Sequence, residues 1–241
     1  MLGPRRRIDR QGASRKRAAP FRCRLVVMAK APVAGGAKTR LAREIGVAGA
    51  MRFARQATAA LLQRVAHDRR WQTILAVSPD AAVASHCWQR GIPHVGQGRG
   101  DLGRRMQRLM ERMPPGPVAI VGTDVPGITP ALIAEAFRRL GENNAVFGPA
   151  ADGGYWLVGL RQRSRVLQPF ANVRWSSLHA LADTLANLEG HSVAFLATLS
   201  DVDDARGFAL GAGSFGRRVL RGAPVVMPAE AELRDTLPIA R

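Results

Sequence analysis

The strongest constraint on this chain is a hydrophobic period that switches repeatedly along its length. Apolar runs rich in β-branched residues occupy positions 24–29, 73–78, 118–122, 145–148, 155–160 and 193–199. Runs this short and this continuous read as strands buried on both faces. Between them the apolar residues take helical spacing: Phe53, Ala57, Leu61 and Val65; Leu102, Met106, Leu109, Met110 and Met113; Ile133, Ala136, Phe137 and Leu140; Leu178, Leu181, Leu185 and Leu188. Each stripe gives a helix one face to bury. Strands that alternate with amphipathic helices predict an α/β protein, a three-layer α/β/α sandwich around a mostly parallel central sheet. Thr129 before Pro130, and Asp101 before the stripe starting at Leu102, have the chemistry of helix N-caps. Residues 143–160 break the alternation, because two strand-like runs there are separated only by PAADGG.

A chain of 241 residues with 46% hydrophobic content can bury a sizeable core. The alternation of strands and helices predicts one domain over residues 23–210. The formal charge of +18 points first to a polyanion binder, yet nine Lys and Arg against Asp9 lie within residues 1–24, which leaves +10 for the remainder. The stretch RRRIDRQGASRKRAAP has no apolar periodicity and reads as a basic disordered tail over residues 1–22. Residues 211–241, interrupted by Gly and Pro, read as a C-terminal extension. Arg22 and Arg24 interrupt the one apolar stretch that would serve as a secretory signal. No run approaches the roughly 18 apolar residues of a membrane span. The expectation is a soluble, cytoplasmic protein. Cys23 and Cys87 have neither a CxxC partner nor histidine at ligand spacing and read as ordinary thiols. One Tyr and four Trp offer little for base stacking, so nucleic acid ranks below a small anionic ligand as partner.

Four polar clusters follow strand runs directly, at residues 30–40, 123–126, 151–154 and 201–204. If those strands are parallel, the clusters share the edge where open α/β sheets bind ligands. In MAKAPVAGGAKTRLA, the cations Lys30, Lys38 and Arg40 surround Gly35 and Gly36 ahead of a helix. Free backbone N–H groups, the positive end of the helix and added cations together suit phosphates. Cations oppose the helix dipole there unless an anion is present, and the alternative is a solvated helix start. The loop is not a P-loop, because Ala37 stands where that motif requires glycine. Asp124 ends an apolar strand and either holds a divalent ion or serves as a turn residue. Magnesium takes one or two protein carboxylates and completes its octahedron with phosphates and water. Asp124 with one of Asp201, Asp203 and Asp204 meets that need, and spacing does not choose among the three. Asp152, Gly153, Gly154 and Tyr155 either admit a hydroxyl-bearing ligand or form a tight turn between strands. A formal dinucleotide fingerprint, GRGDLG at residues 98–103, precedes a helix, but GIPHVGQ before it contains Pro93 and little β character, which argues against an NAD-binding oxidoreductase. G-x-S-x-G and HExxH are absent, and the five histidines are scattered.

Taken together, MAKAPVAGGAKTRLA, GRGDLGRRM, VGTDVPGITPALI, FGPAADGGYWLVGL, VRWSS and LSDVDDARGF, in that order, resemble an uncharacterised bacterial family of the GT-A-like nucleotide-diphospho-sugar transferase superfamily. The likeness spans about residues 24–210 and implies a fold of the GT-A type. It implies that Gly35, Gly36, Lys38 and Arg40 bind nucleotide phosphates, with Lys30 at the start of the same loop. It further implies that Asp124 and Asp203 hold Mg2+ or Mn2+, and that Asp152, Gly153, Gly154 and Tyr155 line the sugar or acceptor side with Trp175 and Ser176 nearby. Asp124 and Asp152 are the expected catalytic pair. The expected activity is a metal-dependent transferase that uses a nucleotide-activated substrate, glycosyltransferase-like, taking a nucleotide or nucleotide-sugar and an acceptor. The alternative is a nucleotidyltransferase that releases pyrophosphate.

Overall fold

A computed structural model describes residues 22–31, 39–162 and 166–200. The strands are β1 (Cys23–Lys30), β2 (Trp71–Ser78), β3 (His94–Gly96), β4 (Gly116–Val121), β5 (Ala145–Pro149), β6 (Tyr155–Gln162) and β7 (Val193–Phe195). The helices are α1 (Thr39–Val65), α2 (Leu102–Arg112), α3 (Pro130–Glu142) and α4 (Ala180–Ala186). The strands form a seven-stranded sheet in the order β3-β2-β1-β4-β6-β5-β7. Neighbouring strands pair in parallel except at β6, which runs against both β4 and β5. The hairpin that reverses the chain is the PAADGG interruption.

The three layers follow from the strand period of two. Leu25, Val27 and Ala29 of β1 pack on one face of the sheet with Leu61, Leu62 and Val65 of α1 and Ile133, Ala136, Phe137 and Leu140 of α3. Val26 and Met28 point to the other face, toward Met106, Leu109 and Met110 of α2 and Leu181 and Leu185 of α4. A central strand that serves two cores must be apolar throughout, and Leu25, Val26 and Val27 are all fully buried. Each fully buried Leu or Phe contributes about 1.5–3 kcal/mol, so these two clusters dominate the fold's stability.

The N-caps form as expected: the Asp101 carboxylate accepts from Arg104 N at 2.8 Å, and Thr129 Oγ1 accepts from Leu132 N at 3.3 Å. α1 is interrupted at Gly46, whose φ of 76° leaves the helical region. Such a backbone is cheap only for glycine. Both cysteines are free thiols, as expected.

Three sequence expectations need correction. GIPHVGQ does contain a strand, β3, which pairs in parallel with β2 at the sheet edge. Pro93 is compatible with it because its carbonyl still accepts from Leu75 N at 2.9 Å, and an edge strand need not donate from every position. The last strand ends at Phe195 rather than at residue 199. Beyond it the pairing continues irregularly, through Leu196 N to Phe147 O at 2.8 Å and Leu199 N to Pro149 O at 3.1 Å. The register of β5 shifts between Gly148 and Pro149, so a regular ladder cannot continue. Finally, Leu102 and Leu178 are 38% and 70% exposed. Leu102 opens α2 at its rim, and Leu178 precedes α4, where its backbone rather than its side chain packs against Gly153.

Two glycines give a paired test of this packing. A Cβ at Gly148 would enter the Trp156 indole, whereas a Cβ at Gly141 in α3 meets nothing within 4 Å. Gly148→Ala should destabilise by about 1–3 kcal/mol through overpacking. Gly141→Ala should stabilise by about 0.5 kcal/mol through helix propensity and lost chain freedom. Urea unfolding of both variants, read as midpoint shifts of opposite sign, checks this.

Candidate functional site

The parallel register fixes where the polar clusters emerge. Val27 of β1 is opposite Val121 of β4, so Lys30 and Asp124, each three residues further on, leave the sheet at the same edge. Lys30 is exposed, and the chain after it is tied to β2 by Ala31 N donating to Ser78 O at 2.7 Å. Gly35, Gly36 and Lys38 lie outside the described residues. Arg40 falls in the first turn of α1, and its side chain is outside them as well.

The Asp124 turn is held from beneath by apolar anchors. Val125 is 6% exposed and Ile128 fully buried, with Ile128 N donating to Val125 O at 3.3 Å. Burying these neighbours leaves the half-buried Asp124 carboxylate at the edge, where Thr123 Oγ1 lies 3.4 Å from its Oδ1. A Cβ at Gly127 would lie 3.3 Å from Leu199 Cδ2. Leu199 in turn bridges to Ala150 and accepts from Ala151 N at 3.2 Å. Three segments therefore meet: the turn after Asp124, the turn before Asp152, and the chain two residues ahead of Asp201. Asp201, Asp203 and Asp204 themselves lie outside the described residues.

Asp152 sits at the tip of the β5–β6 hairpin. Its Oδ1 accepts from Gly154 N at 2.9 Å, while Gly153 N donates to Ala150 O at 3.2 Å and Ala150 N to Gly154 O at 3.0 Å. Gly153 has φ of 85°, and a Cβ there would collide with the backbone of Leu178. The glycine is thus required by the chain's own close approach, which is reinforced by Leu181 N donating to Gly153 O at 3.1 Å. The tight-turn reading of this stretch is observed, and the exposed Asp152 carboxylate projects from a rigid support.

Tyr155, Trp175 and Ser176 extend this region. The Tyr155 ring packs edge-on against Phe147 at 5.2 Å and against Trp175 at 6.4 Å between centroids. Burial pushes the Tyr155 hydroxyl pKa above its ordinary value, partly offset by its contact with Thr184. The phenol is therefore neutral at physiological pH and is not a ready base. Trp175 is half-exposed and covers Gly103 of α2, where a Cβ would lie 2.7 Å from Trp175 Cζ2. The segment carrying Trp175 is fastened to α4. Arg174 forks onto Asp183 at 2.9 and 2.7 Å, and Asn187 Nδ2 donates to Pro169 O at 2.9 Å and Ala171 O at 2.7 Å. These Arg174 hydrogen bonds hold the Asp183 carboxyl well below the usual carboxylate range. Asn172 and Ser176 adopt φ of 54° and 58°, a left-handed backbone that non-glycine residues keep only where the surroundings over-determine it.

Sequence reasoning missed two residues at this edge. Gln97 is 2% exposed, and its Nε2 donates to Ala29 O at 3.1 Å and Ala76 O at 2.9 Å, joining the ends of β1 and β2. Its Oε1 accepts from Arg105 Nη1 at 3.3 Å, and its backbone O from Arg108 Nη1 at 2.9 Å. Asp80, after β2, accepts from Gly98 N at 2.9 Å and fills the space beside Gly96. A polar residue flanked by glycines just past a strand was the available signal. These contacts also bear on the GRGDLG stretch. Although a strand precedes it, the space at Gly98 is taken by the Arg108 guanidinium and that at Gly103 by Trp175. The Asp101 carboxylate occupies the start of α2, where a dinucleotide pyrophosphate would have to sit.

As to cation chemistry, no group of three or more His, Cys, Asp or Glu side chains converges among the described residues. Asp124 offers a half-buried carboxylate three residues past the end of β4, which suits an ion completed by phosphates and one further acid. No helix among the described residues is long and apolar enough to cross a membrane.

Comparison with other proteins agrees with the topology. Residues 61–177 match the profile of a family described as "uncharacterized protein conserved in bacteria (DUF2064)". No curated protein sequence matches the chain. A structure from Desulfovibrio desulfuricans G20 assigned to the nucleotide-diphospho-sugar transferases superposes with a TM-score of 0.72 at 24% identity, covering 78% of this chain and 85% of that one. The 4-diphosphocytidyl-2C-methyl-D-erythritol synthase of Anaerococcus prevotii DSM 20548 superposes with a TM-score of 0.52 at 10% identity, covering 82% and 97%. Residues 61–177 are thus similar to this bacterial family, and the described part of the chain has the fold of the nucleotide-diphospho-sugar transferases.

Proposed function

We propose that the protein is a metal-dependent transferase acting on a nucleotide-activated substrate, with transfer of a glycosyl group from a nucleoside-diphosphate sugar as the leading reaction. The observation that carries this reading is the shared edge: Lys30, Asp124 and Asp152 leave parallel-aligned strands together, and the turn after Asp124 packs on Leu199, just ahead of the acids at 201–204. One cation-bearing loop and carboxylates from distant parts of the chain suit an anionic ligand with its counter-ion.

In this reading, Lys30, Gly35, Gly36, Lys38 and Arg40 bind the phosphates. Asp124 and Asp203 hold magnesium or manganese, which when bound would neutralise charge developing on the departing phosphate oxygens. Asp152 orients the acceptor hydroxyl and takes its proton on the carboxylate. The hydroxyl oxygen forms a bond to the anomeric carbon, and the bond from that carbon to the diphosphate oxygen breaks, its electron pair leaving with the nucleoside diphosphate. Gly153, Gly154, Tyr155, Trp175 and Ser176 shape the sugar and acceptor side. The same phosphate loop serves attack at an α-phosphorus, which would release pyrophosphate instead, so the released product distinguishes the two reactions.

Calorimetric titration with UDP and other nucleotides should show affinity that requires magnesium or manganese and is lost in EDTA. Asp124→Ala should reduce it by more than the roughly 10–100-fold that losing an outer partner of a metal ligand costs. Its thermal unfolding midpoint should stay unchanged. Equal nucleotide affinity with and without metal, or in the variant, would contradict the reading.

The basic segment at residues 1–22 makes a separate prediction. A chain beginning at Arg22 should lose salt-sensitive binding to heparin or DNA while keeping nucleotide affinity, because exposed cations act through counterion release. Tight polymer binding by the shortened chain without nucleotide affinity would favour a polyanion-binding protein.

A further inference from the structure

Behind the candidate edge, between α1 and the segment that joins β2 to β3, lies a cavity of about 370 Å³. We propose that this cavity is a second ligand site, for a small organic anion that carries a phosphate or carboxylate group on an apolar body, whatever reaction the edge performs. Its place in the fold sets it apart from that edge. α1 follows the Lys30 end of β1 and runs back to the start of β2, where Trp71 Nε1 donates to Val65 O at 3.0 Å. The cavity opens along the later half of this helix, from Arg52 to Leu62, and none of Lys30, Asp124 and Asp152 lines it.

Charge defines one half of the ligand. Arg52 and Arg55, both exposed, lie about one helical turn apart and line the cavity together. Like charges at such spacing repel each other. No Asp or Glu is among the lining residues, and neither arginine pairs with an acid among the described residues. A guanidinium without a carboxylate partner presents a planar fork of donors that matches phosphate or carboxylate oxygens. Gln56, exposed in the same wall, adds an amide. The Thr58 hydroxyl adds no donor, because it already donates to Ala54 O at 2.8 Å.

The floor defines the other half. Leu62 and Trp88 line the cavity and are 1% and 7% exposed, and the methyl groups of Ala54 and Ala59 are too small to fill the space beside them. An inorganic ion would leave this apolar surface in water, whereas an apolar body covers it. The wall opposite α1 is formed before any ligand arrives. Trp88 Nε1 donates to Ala82 O at 2.6 Å, Gln89 Nε2 lies 3.3 Å from His67 Nε2, and Gln89 O lies 3.1 Å from His94 Nε2. Such preorganisation lowers the cost of binding. Cys87 lines the same cavity as an exposed free thiol, so its accessibility reports occupancy.

The test is alkylation of the full-length protein by the neutral reagent iodoacetamide, with and without phenyl phosphate, benzoate, inorganic phosphate or benzyl alcohol. Cleavage after arginine releases residues 71–90, in which Cys87 is the one cysteine, so mass spectrometry reads its rate apart from that of Cys23. Phenyl phosphate and benzoate should slow alkylation of Cys87 saturably and leave Cys23 unchanged. Protection by just one of the two supports the site and names its head group. Inorganic phosphate and benzyl alcohol each supply half of the required chemistry and should need concentrations about tenfold higher, the scale of one apolar group or one charge-assisted hydrogen bond. The double variant Arg52→Gln/Arg55→Gln should weaken protection by a similar factor with its thermal midpoint unchanged. The contrast between phenyl phosphate and benzyl alcohol needs no variant, so a folding defect does not mask the result. Asp124→Ala should be protected as the parent protein is. No protection by either organic anion, equal protection by inorganic phosphate or by benzyl alcohol, undiminished protection in the double variant, or its loss in Asp124→Ala would overturn the proposal.

Discussion

The parallel pairing of β1 with β4 is the constraint on which the rest of the structure depends. It sets Val27 beside Val121 and so delivers Lys30 and Asp124, 94 positions apart in the numbering, to one edge of the sheet. The pairing is not held by its hydrogen bonds alone, since each such bond is worth only about 1 kcal/mol net. It persists because β1 alternates its side chains between two apolar clusters, so that a slip of one residue would exchange the residues facing α1 and α3 with those facing α2 and α4. Core packing thereby fixes the relative position of polar groups that make no contact with the core.

The reversed strand β6 plays the complementary part. Because it runs against β4 and β5, it begins at Tyr155 on the edge where those strands end, close to the Asp152 turn, Leu199 and the segment bearing Trp175. The turn's glycines are explained by its own packing. Gly153 is needed because the Leu178 backbone passes against it, and the residues around Asp152 are fixed by four backbone hydrogen bonds and one that the carboxylate accepts from Gly154 N. A carboxylate on such a support loses little freedom when it engages a ligand, the physical content of preorganisation. The α4 helix, with seven residues, is too short to stand by itself. Its place is secured by the Arg174–Asp183 fork, by Asn187, and by the hydrogen bond from Leu181 to Gly153.

Much of this was legible in the sequence because hydrophobic period reports burial directly. The six apolar runs each contain a strand, and the stripe residues of α1 and α3 are buried. The short edge strand β3 escaped notice because three residues beside Pro93 carry almost no periodic signal, and its identity comes from pairing with β2. Leu178 misled because a stripe marks spacing, not the residue at which a helix starts. At the site, the order of polar clusters after strands located Asp124, Asp152 and Lys30 at the edge. Gln97 and Asp80 stayed hidden because their roles are contacts between loops separated in sequence, made by residue types that are ordinary in turns. The GRGDLG stretch matched a dinucleotide fingerprint only formally, and the spaces at Gly98 and Gly103 are filled by Arg108 and Trp175.

The central claim is spatial: one anionic ligand and its cation meet Lys30 and Asp124 together at the sheet edge. Anomalous diffraction from crystals grown with manganese and UDP measures this directly. The account predicts a manganese peak about 2.1 Å from an Asp124 carboxylate oxygen, the distance expected of a small divalent ion, with the diphosphate bridging toward Lys30. Manganese and UDP bound away from the ends of β1 and β4, with Asp124 touching neither, would contradict it.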